Sequence, residues 1–345
     1  MANLVINTFC NLRCPYCFAE DEKAVYVNEE MDIEAVKAAV DFITQTEGHV
    51  GIIGGEPTFH KKFRQIMYYL IDNPKVTSIT LYTNGTNLSK HKDILVNPKI
   101  GMLINLNANG ICSDEKVSEI IADAKWIEEQ KKMRGLYGRV NLGINIFSPT
   151  MDIDYIFDAA KELGAKKIRF STSIQQFELK NTPNPLEYFR SMKEKLVEFF
   201  DKCLKYGIVP GEDCNYIPWC ILTNEEREKY NGVFGNFALE YGVPFTKLGE
   251  NNSCLHGGHP IDIYPDLTLS RCLALSTCTK TSMSMFRNLN DVYAYFTKQF
   301  VSTSNLVDIS AECSSKCDNY LACFGSCMKY KLNGIMDIKS KLEVE

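Results

Sequence analysis

The chain has 345 residues, 45% apolar and 23% charged, which is enough apolar content for a folded core and unlike a disordered or collagen-like composition. Lys and Arg total 38 against 43 Asp and Glu, and the net charge of −5 speaks against a nucleic-acid or membrane-surface binder. No apolar run approaches the roughly 20 residues that span a bilayer, and Met1 to Asn7 carries no basic flank of a signal peptide, so a cytoplasmic protein of one large or two smaller domains is expected.

Up to about Ser173 the chain alternates between strand and helix patterns. Leu4–Val5–Ile6 reads as a short apolar strand. Residues 32–45 read as a helix, with Ile33, Val36, Val40 and Ile43 at helical spacing. Val50 to Ile53 is a buried strand, and 63–71 a helix. Ser78 to Tyr82 is a strand ended by the turn residues Thr83-Asn84-Gly85. Met102 to Leu106 is the next strand, followed by Asn109-Gly110 and an amphipathic helix over 114–132. A strand over 140–147, a helix over 153–163 and a strand over 167–171 complete six alternations. Such alternation implies right-handed crossovers and a parallel sheet, whose ligands sit at the carboxyl ends of the strands. The loops 8–18, 54–59, 83–86 and 107–110 all follow strands and are expected to share one edge. A further helix is read over 186–206. Beyond it the pattern becomes rich in turns, aromatics and cysteines, with short strands over 261–264 and 268–269. The expected divisions are 1–205, a connecting and substrate-groove segment over 206–252, and 253–345. In the connecting stretch, the loop aromatics Tyr216 and Trp219 are candidates to line a groove.

Fourteen cysteines without an export signal point to metal ligation rather than disulfides. Cys10, Cys14 and Cys17 form one cluster, and nine more lie between Cys214 and Cys327. Cys112 and Cys203 stand alone and read as small buried apolar residues. The loop Cys10-Asn-Leu-Arg-Cys14-Pro-Tyr-Cys17 offers three thiolates where an iron–sulfur cube ordinarily takes four, which leaves one iron open to an outside ligand. A structural zinc site is the competing reading, but it wants a closed set of four ligands. Towards the other end, Cys313, Cys317, Cys323 and Cys327 follow a C-x3-C-x5-C-x3-C spacing, with Cys254, Cys272 and Cys278 before them.

The cysteine loop, the Gly54-Gly55-Glu56-Pro57 segment after the second strand and Thr83-Asn84-Gly85 after the third together resemble the radical S-adenosylmethionine superfamily. That resemblance implies a partial (β/α)6 barrel, an α/β fold, over roughly the first half of the chain. It implies a [4Fe–4S] cluster held by Cys10, Cys14 and Cys17. It also implies S-adenosylmethionine, cleaved reductively to a 5′-deoxyadenosyl radical. The residues it assigns to the cofactor are Tyr16; Gly54, Gly55 and Glu56, near the amino group of the methionine moiety; Thr83; Asn107, near the ribose; Asn145 and Ser148, on the fifth strand; and Ile174, beside the adenine.

The C-terminal cysteines resemble the SPASM extension of peptide- and protein-modifying members, a small cysteine-rich auxiliary domain. Leu267 stands where that pattern has glycine, and no cysteine follows Cys327. The resemblance implies that Cys254, Cys272 and Cys327 with one further cysteine hold a first auxiliary cluster, and Cys313, Cys317 and Cys323 a second. Cys278 is taken as a fourth ligand. Asp337, Glu343, Cys214 or Cys220 are alternatives, as are an open iron and a smaller extension with one cluster. Metal ligation by His256 and His259 is the minor reading beside a solvated or capping one.

Three functions compete. One is an oxidoreductase that matures a ribosomally made peptide through a thioether or carbon–carbon crosslink. Another is formylglycine formation of the sulfatase-maturase type, which Asn109 disfavours because it stands where those enzymes carry an aspartate base. The third is a non-enzymatic iron–sulfur electron carrier. Expected partners are a peptide substrate and a flavodoxin- or ferredoxin-type reductant; because the first cysteine is already residue 10, leader recognition is expected from a separate leader-binding protein or from the stretch 175–252. Nucleic acid and membrane are not expected.

Overall fold

The structure is a computed structural model that describes residues 1–17, 19, 28–173, 185–213, 216–249, 260–304, 310, 312–313, 317, 323 and 327–331. In chain order its strands are β1 (Ala2–Asn7), β2 (His49–Gly54), β3 (Ser78–Thr83), β4 (Ile100–Asn105), β5 (Val140–Ile146), β6 (Lys167–Thr172), β7 (Val209–Glu212), β8 (Ile261–Ile263), β9 (Thr268–Ser270) and β10 (Thr281–Ser282). The main helices are α1 (Ile33–Ile43), α2 (Phe63–Asp72), α3 (Asp114–Lys132), α4 (Asp154–Leu163), α5 (Pro185–Ser191), α6 (Lys193–Tyr206), α7 (Asn224–Tyr241) and α8 (Leu289–Ser304).

Two compact units divide the chain. The first comprises Met1–Ile144, Asp154–Ala165 and His259–Ala294. In it β1, β2, β3, β4 and β5 pair in sequence as parallel neighbours, and β8 pairs in parallel with the other side of β1. This is the α/β class with a parallel sheet that the alternation calls for. Every residue of β1 is buried, as a strand flanked on both edges and covered on both faces requires. Helix starts are fixed by short polar side chains: Asp32 accepts from Ala35 N at 2.8 Å and Ser113 from Lys116 N at 3.3 Å. Buried charges anchor the C-terminal half of α3. Lys131 donates to the carbonyls of Asn97 and Ile100, both at 2.8 Å, and Glu128 accepts from Gly138 N and Val140 N. Burial pushes the Lys131 pKa down to about 8.

The second unit comprises Asn145–Ile153, Lys166–Gly258 and Tyr295–Glu345. Its β6 and β7 are parallel, and its core is aromatic. Phe200 of α6 lies 5.5 Å from Phe170, 5.2 Å from Tyr230 and 6.0 Å from Trp219, ring centre to ring centre. The helix read over 186–206 is two helices. The Met192 amide is shared between the carbonyls of Tyr188 and Phe189, and this local slip separates α5 from α6. Trp219, a candidate for a groove, is instead 3% exposed. Its turn, Trp219–Ile221, folds the indole onto Phe200.

Candidate active site at the carboxyl ends of the first four strands

Within the first unit, the loops that follow β1, β2, β3 and β4 are joined by specific bonds. The cysteine loop leaves β1 beside the Gly54-Gly55 segment. Gly55 N donates to Asn7 O at 2.9 Å and Glu56 N to Phe9 O at 2.7 Å. A Cβ on Gly55 would lie 2.1 Å from the Phe9 carbonyl oxygen, so the approach requires glycine. The buried Asn7 side chain adds a bond to Glu56 O at 2.9 Å.

Cys10, Cys14 and Cys17 are half-buried and free of disulfides. Cys17 N closes a turn on Cys14 O at 3.1 Å. Cys10 Sγ accepts from Leu12 N at 3.4 Å and from the Asn84 side-chain amide at 3.8 Å. Asn84 also donates to Asn11, which donates to Thr86, so the β3 loop holds the cysteine loop from one side. From the β4 loop, Asn107 Oδ1 accepts from the Tyr16 hydroxyl and, at 3.8 Å, from the Cys14 thiol. Cys17 packs against an apolar cluster of Val5, Ala19, Tyr264 and Leu273.

Glu56 is fully buried. One carboxylate oxygen accepts from Thr58 N (3.2 Å), Thr58 Oγ1 (2.6 Å) and Thr83 Oγ1 (2.7 Å), and the other from Asn84 N (2.7 Å). Burial pushes its pKa up, while these four donors pull it down. Its side chain therefore knits the β2 loop to the β3 loop, and Thr83 spends its hydroxyl on the same carboxylate. Gly54 and Gly55 stay half-exposed beside it. Asn84, Asn7 and Asn11 were not singled out as site residues from the sequence. Asn84 lies inside the Thr83-Asn84-Gly85 motif, which was the available signal.

Asn109 (φ 58°) and Gly110 (φ 81°) are both left-handed, in a turn closed by Ile111 N on Ala108 O at 3.2 Å. Asn145 and Ser148 belong to the second unit. There Asn145 Oδ1 accepts from Ser171, and the Ser148 hydroxyl caps the turn at Thr150 N. Ile174 and Cys254 lie outside the described residues, as do Cys214, His256, His259, Asp337 and Glu343.

Of the C-terminal cysteines, Cys272 is half-buried and directly follows the β8–β9 hairpin. In that hairpin Leu267 takes φ 59°, the left-handed conformation natural to glycine, at the position where the SPASM pattern carries glycine. Cys278 falls in the helical turn Ser276–Thr279, its side chain outside the described set. In the second unit Cys313, Cys317 and Cys323 are half-buried, Cys327 is buried and Cys220 is exposed, all without disulfides. Cys112 and Cys203 are buried, and burial raises both thiol pKa values. Among the described residues, no three Cys, His, Asp or Glu side chains converge as a single metal ion would require. A cube makes a looser demand, because each thiolate binds a separate iron. Three cysteines on one loop, outside any disulfide and with amide donors aimed at Cys10, are a donor set that fits it.

The model of the Radical SAM superfamily matches residues 4–229. The chain belongs to the radical S-adenosylmethionine superfamily. It is a radical SAM enzyme, and membership implies a [4Fe–4S] cluster and S-adenosylmethionine. The GTP 3′,8-cyclase of Psychromonas ingrahamii is 26% identical over 141 residues, 41% of this chain and 40% of that protein. The enzyme of the same name from Pasteurella multocida is 34% identical over 92 residues, 25% of this chain and 26% of its own length. The chain thus spans between a quarter and two-fifths of these curated relatives. Streptococcus suis SuiB bound to S-adenosylmethionine shares the fold with TM-score 0.58 and 15% identity, over 95% of this chain and 72% of that one. SuiB bound to the precursor peptide SuiA gives 0.57 at 15% identity, over 95% and 71%. No helix among the described residues is long and apolar enough to cross a membrane.

Proposed function

We propose that this radical SAM enzyme oxidatively modifies a peptide, forming a thioether or carbon–carbon crosslink. The observation that carries the reading is the extent of the fold it shares with SuiB, 95% of this chain, a protein also seen with a precursor peptide bound. The left-handed Leu267 before Cys272, and the cysteines Cys313, Cys317, Cys323 and Cys327, none in a disulfide, support an auxiliary SPASM-like region.

Cys10, Cys14 and Cys17 would hold the cluster. When bound, it supplies the electron that cleaves S-adenosylmethionine to a 5′-deoxyadenosyl radical. The chain's own contribution is positional. Tyr16 and Asn107 fix the far side of the cysteine loop. Gly54 and Gly55 offer half-exposed backbone where a ligand amino group could dock. Glu56 and Thr83, buried, hold that backbone in place. Asn145, Ser148 and Ile174 are assigned to the adenosine end, and Cys254, Cys272, Cys278, Cys313, Cys317, Cys323 and Cys327 to one or two auxiliary clusters. A flavodoxin or ferredoxin would deliver the electron, and a separate protein could present the peptide leader.

The test is anaerobic incubation of reconstituted enzyme with S-adenosylmethionine, a reductant and the short peptides encoded beside its gene, followed by mass spectrometry. The reading predicts loss of two hydrogens from one such peptide. Turnover of GTP, a carbohydrate or a sulfatase-type peptide, with every neighbouring peptide unchanged, would overturn it.

A further inference from the structure

Behind the Glu56 carboxylate, in the first unit, stands a layer of buried polar side chains that lies outside both the Gly54-Gly55-Glu56-Pro57 and the Thr83-Asn84-Gly85 motifs. We propose that His91, together with Asn87, is a positioning residue for S-adenosylmethionine: it holds the Thr58 carbonyl, Thr58 in turn aims the Glu56 carboxylate, and the Gly54-Gly55 backbone beside Glu56 is thereby fixed. This rests on the reading that this backbone takes the ligand's amino group.

Thr58 is the middle residue of the turn Pro57–Phe59 and is 3% exposed. Its amide and hydroxyl both donate to one Glu56 oxygen, at 3.2 and 2.6 Å. Its carbonyl accepts from Asn87 Nδ2 at 3.0 Å and from His91 Nε2 at 3.1 Å, so both lone pairs are spent on side chains. Asn87 and His91 are themselves buried. The turn Leu88–His91 brings their nitrogens within 3.5 Å of each other. The stretch after β3 therefore grips the Glu56 loop at two points. Thr83 and Asn84 meet the carboxylate, and Asn87 and His91 meet the Thr58 carbonyl. Glu56 passes this restraint to its neighbours through its backbone, whose amide donates to Phe9 O at 2.7 Å and whose carbonyl accepts from Asn7 at 2.9 Å.

The state of the His91 ring follows from its partner. A carbonyl only accepts, so Nε2 carries the proton and Nδ1 is the bare acceptor. Nδ1 is buried and has no bond partner among the described residues. The Phe63 ring packs edge-on against the imidazole, 4.7 Å between centres, and holds it in place. An unmatched buried acceptor costs stability, and an apolar residue of similar size would avoid that cost. What the imidazole supplies in return is the Nε2 proton on Thr58. His60 is the contrasting case. Its Nε2 meets the Met31 carbonyl at 3.1 Å and its Nδ1 accepts from Lys62 N at 2.9 Å, so both nitrogens serve chain packing away from Thr58.

The experiment measures equilibrium binding of S-adenosylmethionine, and of the analogue that lacks its α-amino group, to the reconstituted full chain without reductant, so that no turnover occurs. Wild type is compared with His91→Leu, His91→Gln and Asn87→Leu, and iron content and melting temperature are recorded for each. His91→Leu should bind S-adenosylmethionine about ten-fold more weakly, the scale of one lost hydrogen bond, while binding the analogue as wild type does and keeping its iron. His91→Gln should stay within about three-fold of wild type, because the Gln amide can donate to the same carbonyl. Asn87→Leu should behave as His91→Leu, and it carries the test if His91→Leu does not fold. His60→Leu should leave the ratio of the two affinities unchanged, whatever it does to the melting temperature. Equal losses for ligand and analogue in the His91→Leu and Asn87→Leu proteins would overturn the proposal, since the two side chains would then not be coupled to the amino group. Unchanged affinity in both would overturn it too, as would His91→Gln binding as weakly as His91→Leu, or His60→Leu shifting the ratio as far as His91→Leu. If wild type itself binds the analogue as tightly as S-adenosylmethionine, the docking reading fails, and the proposal falls with it.

Discussion

The thiols of residues 10–17 and those of residues 313–323 are presented in different ways. The first set follows a wholly buried strand, β1, and is tied down by backbone bonds to Gly55 and Glu56 and by side-chain amides from the β3 and β4 loops. The bonds to Asn84 and Asn107 are part-buried, and the Glu56 side chain beside them is fully buried, where water competes little. The described anchor of the second set is an exposed ion pair, Arg190–Glu312, and a turn on Ser310. Exposed pairs contribute little on their own. The protein therefore shapes the first site through bonds from three neighbouring loops, whereas the described bonds at Cys313 come from Ser310 and the Arg190–Glu312 pair.

The contrast can be broken first at Gly55. Gly55→Ala places a Cβ against the Phe9 carbonyl and should separate the two loops, with a cost of about 3 kcal/mol in denaturant unfolding and loss of S-adenosylmethionine cleavage. Unchanged unfolding would mean that the loops are not clamped. Next is Glu56→Ala, which strands the Thr58, Thr83 and Asn84 donors and should cost about 2 kcal/mol. It should weaken S-adenosylmethionine binding while the Cys10, Cys14, Cys17 cluster stays in place, as an iron assay and a titration would report together.

A pH profile sharpens the picture of the second unit. Glu212, at the end of β7, accepts from Ile217 N at 2.8 Å, and burial pushes its pKa up to about 8. The folded state then keeps a proton that the unfolded chain loses above about pH 4.5. Stability contributed by this group is present below that value and falls as pH rises towards 8, by at most about 1.4 kcal/mol per unit, then levels off. Glu212→Gln should flatten that slope in melts across the window, and identical slopes would refute the assignment. The smallest effect is expected for Arg190→Ala, which should leave the melting temperature of the metal-free chain unchanged.

Much of the first unit was legible because its strands are apolar runs bounded by turn residues. β1 to β6 fall where the alternation put them, and Gly54-Gly55-Glu56 and Cys10-Cys14-Cys17 were visible as motifs. The direction of the Glu56 carboxylate was not, since a motif fixes residue types and leaves open which oxygen meets which donor. Strand β7 escaped notice because Pro210 and Gly211 interrupt its pattern, a sequence tolerated where one backbone edge needs no partner. Helix α7 was missed because its buried stripe is narrow, only Tyr230, Phe234 and Ala238. Its start was nonetheless written in the reciprocal cap of Thr223 and Glu226, bonded at 2.7 and 3.1 Å. Trp219 was misjudged for a different reason: a loop residue by sequence, it packs on α6 because a large indole gains more from the aromatic core than from solvent.

The most direct test of the central claim, that the loop after β1 carries the radical chemistry and the C-terminal thiols a separate metal function, is one comparison of wild type with Cys10/Cys14/Cys17→Ala. Both proteins are reconstituted with iron and sulfide and given S-adenosylmethionine and a reductant. The account predicts no 5′-deoxyadenosine from the variant, which should still hold about eight irons, the content of two further cubes. Formation of 5′-deoxyadenosine by the variant at the wild-type rate would contradict it.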